Sequence, residues 1–291
     1  MPNIYDQVTR KPQWLKIRLH KGSGFAEVAK VVDGHGLHTI CRSGRCPNQA
    51  ECWSRRTATL MILGDICTRS CRFCATQTGR PLPPDPDEPV RVARSVALME
   101  LRYCVLTSVD RDDLPDGGAR HWAAVAAEIR KQNPETKIEL LIPDFDGQAA
   151  LLDEVIASRP DVLGHNIETV RRLTSHVRSK ARYEISLKVL RHIAVSNIPA
   201  KSGLMLGLGE TQDEVLETID DLAAQGCRLL TIGQYLQPTP AHLPVAEYIH
   251  PDRFEFYKRE ALRKGFSYVE SGPLVRSSYM AEQAAEALNI K

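Results

Sequence analysis

Six of the eight cysteines in this chain lie between positions 41 and 74, in two groups of three. The first group, in CRSGRCPNQAEC, has the spacing C-x4-C-x5-C, and the second, in CTRSCRFC, has the spacing C-x3-C-x2-C. Thiolates bind soft transition metals and iron–sulfur clusters. Three thiolates in one short loop leave one iron of a four-iron cluster open to another ligand. The two groups are Cys41, Cys46 and Cys52, and Cys67, Cys71 and Cys74.

A zinc site and a non-metal role are the alternatives for these six residues. Structural zinc sites take four ligands, commonly from paired C-x2-C motifs with histidine allowed, and neither group has that form, although all six thiols could make one irregular site. Disulfide scaffolds are typical of short secreted chains with evenly spread cysteines. We therefore expect free thiols in a reducing cytoplasm. Cys104 and Cys227 lie in apolar runs, where we expect them to pack as small apolar side chains.

The composition is that of an ordinary globular protein, with 43% hydrophobic and 25% charged residues, which excludes disorder, collagen and coiled coil. No apolar run approaches the roughly 20 residues that span a bilayer, and the first residues have no apolar segment typical of a signal peptide. The net charge of +2 gives no general attraction to nucleic acid. We therefore expect a cytoplasmic protein that binds neither membranes nor nucleic acid.

Apolar strand-like runs alternate with amphipathic helical stretches along most of the chain. In one such stretch, Thr211 and Glu214 predict a capping box, and Gly226 predicts the end of the helix. Because the alternation repeats six times, it predicts an α/β fold with a parallel sheet and helices outside it, either open or curled into a barrel. The predicted strands cover residues 58–63, 102–109, 136–142, 161–167, 200–207 and 228–234.

Polar residues follow the predicted strands at their carboxyl ends, where parallel α/β folds place their functional residues. Ser108 and Asp110 follow the second strand, Asn166 and Glu168 end the fourth, and Gln234 ends the sixth. Loops after strands are generally polar, so this pattern alone does not identify a site.

The second cysteine group, with Phe73 before its last cysteine, resembles the signature of the radical S-adenosylmethionine superfamily. The resemblance implies that Cys67, Cys71 and Cys74 are catalytic and hold three irons of a 4Fe–4S cluster, while S-adenosylmethionine binds the fourth iron. An electron from that cluster then releases a 5′-deoxyadenosyl radical, which removes hydrogen from an unactivated C–H bond.

Further motifs are similar to those of one family within that superfamily, the lipoyl synthases. They are the first cysteine group with its following tryptophan, TSVDRDDLPDGG, KSGLMLGLGET, LTIGQYLQP and GPLVRSSY, and they extend in order from about residue 11 to about residue 282. The resemblance implies that two sulfur atoms are inserted at C6 and C8 of an octanoyl chain, which is amide-linked to a lysine of a lipoyl carrier domain. It also implies that a second, auxiliary 4Fe–4S cluster donates the sulfur.

The same resemblance implies which residues bind the two clusters and S-adenosylmethionine. The auxiliary cluster takes three cysteines and one serine, either Ser277 or Ser278, of which we favour Ser278. Two serines before a helix are otherwise typical of an N-cap. The implied metal ligands are Cys41, Cys46, Cys52, Ser278, Cys67, Cys71 and Cys74. The candidates for contacts to S-adenosylmethionine or to the octanoyl amide are Phe73, Ser108, Asn166, Glu168, Lys201, Ser202, Glu210, Gln234 and Tyr235.

The fold that the resemblance implies is a partial (β/α)6 TIM-type barrel with extensions at both ends that close its mouth. Residues 1–56 then carry the auxiliary-cluster cysteines, residues 57–250 form the barrel, and residues 251–291 carry the RSSY motif. The implied partners are octanoylated carrier domains, such as the E2 subunits of 2-oxoacid dehydrogenases and the H protein of glycine cleavage. An electron donor such as flavodoxin or ferredoxin is also implied.

Three other functions compete with this interpretation. A methylthiotransferase acting on transfer RNA usually has an added RNA-binding domain, which the net charge of +2 does not favour. A simple iron–sulfur electron carrier is usually small, with every cluster iron bound by the protein. A zinc-binding interaction module is distinguished by its metal, because two 4Fe–4S clusters give about eight irons per chain and little zinc.

Overall fold

A computed structural model describes residues 11–16, 23–34, 38–44, 46–55 and 57–288. Its strands are β1 (His38–Thr39), β2 (Ala58–Ile62), β3 (Ile66–Cys67), β4 (Gln77–Thr78), β5 (Tyr103–Ser108), β6 (Lys137–Leu141), β7 (Val162–Gly164), β8 (Ala200–Leu206), β9 (Leu229–Gln234) and β10 (Tyr268–Gly272). Eight of these described strands form one sheet in the order β1-β2-β5-β6-β7-β8-β9-β10, and β3 pairs with β4 separately.

Helices connect most of the strands. They are α1 (Ser23–Gly34), α2 (Ile40–Ser43), α3 (Gln49–Ser54), α4 (Glu88–Leu98), α5 (Ala119–Gln132), α6 (Ala149–Ala157), α7 (Thr174–Val177), α8 (Tyr183–Val195), α9 (Gln212–Ala224), α10 (Pro251–Arg263) and α11 (Ala281–Ala287). Short 3-10 turns cover Gln13–Leu15, Phe145–Gly147 and Arg171–Leu173. Over the described ranges, no helix is both long enough and apolar enough to cross a membrane.

Helix α9 shows how closely local sequence sets the elements. The Thr211 hydroxyl accepts a hydrogen bond from the backbone N–H of Glu214, and the Glu214 carboxylate accepts one from the N–H of Thr211. These two bonds satisfy N–H groups that a helix leaves without an internal partner. After the helix, Gly226 adopts a φ of 86°, which glycine reaches without steric cost. The predicted capping box and helix end are both confirmed.

The sheet is parallel from β2 through β10, and only β1 runs antiparallel to its neighbour. Every residue of β2 and of β9 is buried, as expected of parallel strands with both faces covered. In the described part of the chain, β1 and β10 end the strand order without pairing with each other, so the sheet is curled but open. The predicted α/β fold, a partial TIM-type barrel, is confirmed.

All six predicted strands are present, and β7 is the one that is much shorter than expected. The prediction missed a seventh parallel strand, β10, which pairs with β9. Its sequence, YVESG, has a single buried residue, so it lacks the apolar run that indicated the other strands. Because α10 and β10 continue the helix–strand alternation, the barrel extends past residue 250, where we expected the C-terminal extension to begin.

The core lies between the outer face of the sheet and the helices. Cys104 and Leu106 of β5 and Trp122 and Ile129 of α5 are all 0% exposed. Apolar area removed from water stabilises the fold by roughly 25 cal/mol per Å², so this layer is the main support of the barrel. Cys104 and Cys227 pack here as predicted, and burial raises the pKa of each thiol to about 12.

Helix α11 packs on the opposite, inner face of the sheet. Ala281 and Ala285 contact Tyr103 and Val105 of β5, which alternate with the outward-facing residues of that strand. Ala284 packs with the first residues of β7 and β9. The small side chains of α11 therefore fill the inside of the barrel at the amino ends of the strands, and the carboxyl ends stay free for the site.

Candidate active site

A cavity of about 630 Å³ lies at the carboxyl ends of the strands, and it is large enough for a small-molecule site. All six clustered cysteines line it. Residues 276–279, which form the RSSY motif, line the same cavity. Two neighbouring segments that carry the cysteines therefore meet a distant segment that carries the serines.

The first cysteine group lies on α2 and α3 and the turn between them. The backbone N–H of Cys46 donates to the carbonyl of Cys41 at 3.0 Å, which folds the loop back on itself. Burial, followed by the charges of Cys46 and Cys41, raises the pKa of Cys52 to about 12. All three thiols of this group line the same cavity, where they are available to one cluster.

The second cysteine group begins with Cys67, the last residue of β3, and continues through the loop between β3 and β4. The Cys67 sulfur accepts hydrogen bonds from the backbone N–H groups of Asp110 at 3.3 Å and Arg69 at 3.4 Å. Burial and then the Asp110 carboxylate raise the pKa of Cys67 to about 11, and the two N–H groups oppose that rise. Burial also raises the pKa of Cys74, with a smaller contribution from Cys71. All three thiols of this group also line the cavity.

The donor set fits iron–sulfur clusters. All six cysteines are free, and thiolate sulfur is the usual ligand of such clusters. Metal that binds buried thiols must displace their protons, so their raised pKa values couple cluster binding to proton release. In the described residues, no three histidine, cysteine or carboxylate side chains converge as they do around a single metal ion.

The RSSY segment is held between the barrel and the first cysteine group. Asn166, which follows β7, donates from its side-chain nitrogen to the Ser277 hydroxyl at 2.8 Å. The Tyr279 hydroxyl lies 3.2 Å from the Glu51 carboxylate, and the Asn48 side chain donates to the carbonyl of Leu274 at 2.6 Å. Both Asn48 and Glu51 belong to the first cysteine motif. The serines do not cap α11, because its N-cap residue is Met280 and no side chain forms a cap hydrogen bond.

Two glycines on the inner face of the barrel let this segment approach the strands. A Cβ atom on Gly233 of β9 would lie 2.2 Å from the carbonyl oxygen of Val275. A Cβ atom on Gly203 of β8 would lie 2.6 Å from the side-chain oxygen of Asn166. Real Cβ atoms do not approach other atoms so closely, so the glycines in the KSG and TIG parts of the sequence motifs are needed to seat the RSSY segment.

Six of the nine residues proposed to contact S-adenosylmethionine or substrate line the cavity. The side-chain donors of two of them are already used within the protein. The Gln234 amide nitrogen donates to three backbone carbonyls, and the Tyr235 hydroxyl donates to the carbonyl of Leu243. Burial raises the pKa of Glu168, and Arg178 opposes this. The lining residues are Phe73, Ser108, Asn166, Glu168, Gln234 and Tyr235.

The other three candidates lie outside the cavity lining. Lys201 forms a buried ion pair with Glu139 at 2.6 Å. Ser202 is 0% exposed and donates to the carbonyl of His165. Glu210 accepts from backbone N–H groups at the end of β8. These three side chains therefore support the strands, and their contact with a cofactor stays a prediction.

A buried charged network beside the second cysteine group was not predicted. The Arg69 guanidinium makes paired hydrogen bonds to Asp112, both at 2.8 Å, and further ones to Asp144 at 2.8 and 3.0 Å. Burial alone would raise the pKa of Asp144, but Arg69 holds it well below its ordinary value. Bidentate pairs of this kind fix geometry, so the network ties the CTRSC loop to the loops after β5 and β6. The sequence shows the acidic residues of DRDD at positions 110–113, but it does not show that Asp110 and Asp112 share Arg69 as a partner.

Comparison with known proteins supports the class of enzyme that this site suggests. Residues 61–222 match the family described as the radical SAM superfamily. The fold is similar to that of methylornithine synthase (PylB), with a TM-score of 0.55 and 11% identity over 86% of this chain and 82% of that one. It is also similar to Streptococcus suis SuiB bound to the precursor peptide SuiA, with a TM-score of 0.60 and 10% identity over 85% of this chain and 52% of that one. The fold and the matched residues define a radical S-adenosylmethionine enzyme.

Full-length relatives narrow the assignment. The chain is 60% identical over 278 residues to the lipoyl synthase of Bacteroides fragilis (strain YCH46), covering 96% of each chain. It is 58% identical to the lipoyl synthase of Porphyromonas gingivalis (strain W83) over 95% of this chain and 99% of that one. It is 55% identical to that of Treponema denticola over 94% of each. The chain belongs to the lipoyl synthase family. It is a sulfurtransferase whose cofactors are 4Fe–4S clusters and S-adenosylmethionine.

Proposed function

We propose that this chain inserts two sulfur atoms, at C6 and C8, into an octanoyl chain that is amide-linked to a lysine of a lipoyl carrier domain. The observation that carries the proposal is the convergence of both cysteine groups and the RSSY segment on one cavity. When one substrate must react with a radical and then with a sulfur donor, the groups that supply the radical and the sulfur must both lie next to that substrate.

We assign Cys67, Cys71 and Cys74 to the cluster that binds S-adenosylmethionine, because this loop offers three thiols and leaves one iron free. With S-adenosylmethionine on that iron, the cluster supplies the electron that releases a 5′-deoxyadenosyl radical. The role of the protein is to hold the substrate and to keep water away. Met61, Phe73, Leu141, Leu204 and Met205 contribute apolar surface to the cavity, which suits an octanoyl chain and shields a reactive species.

We assign Cys41, Cys46, Cys52 and Ser278 to the auxiliary cluster, which serves as the sulfur-donating substrate. Two observations support Ser278 over Ser277. The Ser277 hydroxyl is already engaged by Asn166 at 2.8 Å, whereas no described residue forms a hydrogen bond with the hydroxyl of Ser278. Both serines line the cavity with the cysteines. A serine oxygen is a harder ligand than a thiolate, so the iron it holds is the one most readily released.

The partners follow from this reaction. The substrate is presented on a folded carrier domain, such as an octanoylated E2 subunit of a 2-oxoacid dehydrogenase or the octanoylated H protein of glycine cleavage. The electron comes from a small redox protein such as flavodoxin or ferredoxin. We place the enzyme in the cytoplasm, because free thiols need a reducing compartment. Neither nucleic acid nor a membrane has a role in this proposal.

An anaerobic assay with an octanoyl-lysine peptide tests the proposal by following 5′-deoxyadenosine and the mass of the peptide together. Cys71→Ala should abolish both products, because it removes a ligand of the radical-generating cluster. Cys46→Ala should retain 5′-deoxyadenosine formation and lose sulfur insertion. Cys104→Ala removes a core thiol and should retain both activities. If Cys46→Ala still yields lipoyl peptide, the donor assignment is wrong.

A further inference from the structure

Arg276 places a positive charge beside the first cysteine group. Its side chain lines the cavity, and its Nη1 group donates to the carbonyl oxygens of Val275 at 2.6 Å and Gln234 at 3.3 Å. In the described part of the chain, its Nε and Nη2 groups have no hydrogen-bond acceptor, and no carboxylate lies within ion-pair distance of it. The protein around Arg276 therefore leaves its charge uncompensated and several N–H donors available.

Two arginines of the cysteine loops, Arg42 and Arg69, are compensated by carboxylates, whereas Arg72 contacts His176. Arg42 forms an ion pair with Asp33, and its guanidinium also lies over the ring of Trp53, 5.2 Å from the ring centre. Arg69 pairs with Asp144 at 2.8 Å, besides its other carboxylate partners. An arginine enclosed by protein without an anion is costly, because it loses water and gains no counter-charge. The uncompensated charge of Arg276 at the cavity wall therefore points to an anion that occupies the cavity.

The fold fixes the Arg276 side chain at this position. A Cβ atom on Gly233 would come within 3.6 Å of the Nη1 atom and 2.2 Å of the Val275 carbonyl oxygen. Glycine at 233 is therefore what lets the backbone at Val275 pack against β9, and the guanidinium lies at an ordinary contact distance from the same position. On the cavity side, Arg276 and Cys46 line the same cavity. Asn48, two residues after Cys46, donates to the carbonyl of Leu274, two residues before Arg276, at 2.6 Å, which holds the two segments together.

We propose that Arg276 is the cationic partner of the auxiliary cluster: its unused N–H groups face the anionic assembly that Cys41, Cys46 and Cys52 hold. Clusters with thiolate ligands carry negative charge, and hydrogen bonds or cations near their sulfur atoms stabilise the reduced form and raise the reduction potential. The inference rests on the proposed function, because it requires a cluster on the first cysteine group. Arg276 acts on the charge of that cluster, and Ser278 acts as its ligand.

The test is an EPR-monitored redox titration of the reconstituted full-length protein, combined with an iron count. S-adenosylmethionine is added so that the two cluster signals separate, since it binds only the cluster with an open iron. Arg276→Gln should shift the auxiliary cluster to a more negative potential and leave the other cluster and 5′-deoxyadenosine formation unchanged. Arg42→Gln is the matched control. It also removes one positive charge from the cysteine loops, but Asp33 already neutralises that charge. It should leave both potentials unchanged.

Arg276→Lys separates charge from shape. If Arg276→Gln fails to retain the auxiliary cluster, Arg276→Lys should restore it, and failure of both variants would mean that Arg276 is only a structural support. An unchanged auxiliary potential in Arg276→Gln overturns the inference, as does a weaker affinity for the octanoyl peptide with the potential unchanged. A wild-type protein with about four irons instead of about eight would overturn the proposed function itself, independently of Arg276.

Discussion

The side-chain nitrogen of Asn166 lies 2.8 Å from the hydroxyl oxygen of Ser277, joining two residues that are 111 positions apart in the sequence. Asn166 follows β7, and Ser277 is the first serine of the RSSY motif. This bond anchors one serine to the barrel, and we propose the next serine, Ser278, as the cluster ligand. Substitution of each serine in turn therefore tests whether Ser277 or Ser278 is the cluster ligand.

Ser278→Ala should remove an auxiliary-cluster ligand and eliminate lipoyl product while 5′-deoxyadenosine still forms. Ser277→Ala should weaken the anchor without removing a ligand. Loss of an outer partner of a metal site typically costs about 10–100-fold in affinity or activity, so Ser277→Ala should retain a measurable fraction of product. Product mass and Mössbauer spectra of both variants check this order. The reverse order, with Ser277→Ala the more severe, would assign the ligand role to Ser277.

Gly233→Ala should displace the RSSY segment, because the added Cβ atom would lie 2.2 Å from the Val275 carbonyl oxygen. Overpacking of this kind costs about 1–3 kcal/mol of stability, and we expect the auxiliary cluster to be lost first. Gly272→Ala is the matched control, since Gly272 pairs with Gly233 across the strands and its Cβ would meet Val275 at an ordinary 3.5 Å. Iron content and thermal unfolding of both variants provide the comparison. Equal behaviour of the two would contradict the seating role of Gly233.

Lys201→Met should destabilise the protein without changing the affinity for S-adenosylmethionine. The substitution leaves Glu139 buried without its cation, and breaking a buried pair in this way costs about 3–5 kcal/mol. Tyr103 donates to the other oxygen of Glu139 at 2.7 Å and will compensate only in part. Urea unfolding gives the free energy, and equilibrium binding gives the affinity. A loss of affinity for S-adenosylmethionine at unchanged stability would instead show that Lys201 contributes to the cofactor site.

His165 should make the stability of the protein depend on pH in the acidic range. Burial, and then the charge of Arg178, lowers the pKa of His165 from 6.5 to about 4. The unfolded chain therefore binds a proton at His165 before the folded protein does. This contribution to the free energy of unfolding is fully present above pH 6.5 and decreases as the pH falls toward 4, by about 3 kcal/mol in all.

Urea unfolding of the metal-free protein at several pH values measures that slope. Compared with the wild type, His165→Gln should show a flatter dependence between pH 6.5 and 4, because glutamine does not titrate. Other acidic groups titrate in the same range, so the difference between the two proteins is the relevant quantity. Identical slopes would mean that the folded and unfolded chains bind a proton at His165 equally, so that folding does not lower its pKa.

The sequence was most informative where one segment decides its own structure. The six apolar runs predicted strands because both faces of a parallel strand are buried, and Thr211 and Glu214 predicted a helix start because a capping box is local. The cysteine groups predicted metal chemistry for the same reason. Strand β10 was not predicted, because YVESG has only one buried residue. Its pairing with β9 is what makes it a strand.

Features that depend on distant partners could not be predicted. Lys201, Ser202 and Glu210 lie in a motif near the site, but whether their side chains face the cavity depends on strand register and depth. Arg69 meets Asp112 across 43 positions and Asp144 across 75 positions. No periodicity in the sequence encodes such pairs. They become visible only when the loops at the carboxyl ends of the strands are brought together.

We propose that one cysteine group generates the radical and that the other gives up its sulfur to the same octanoyl chain. The most direct test is the mass of the lipoyl peptide formed in a single turnover by enzyme whose clusters were rebuilt with heavy sulfide (34S), with light sulfide present in the buffer. We predict that both inserted sulfur atoms carry the heavy isotope. A product that contains only light sulfur would contradict the account.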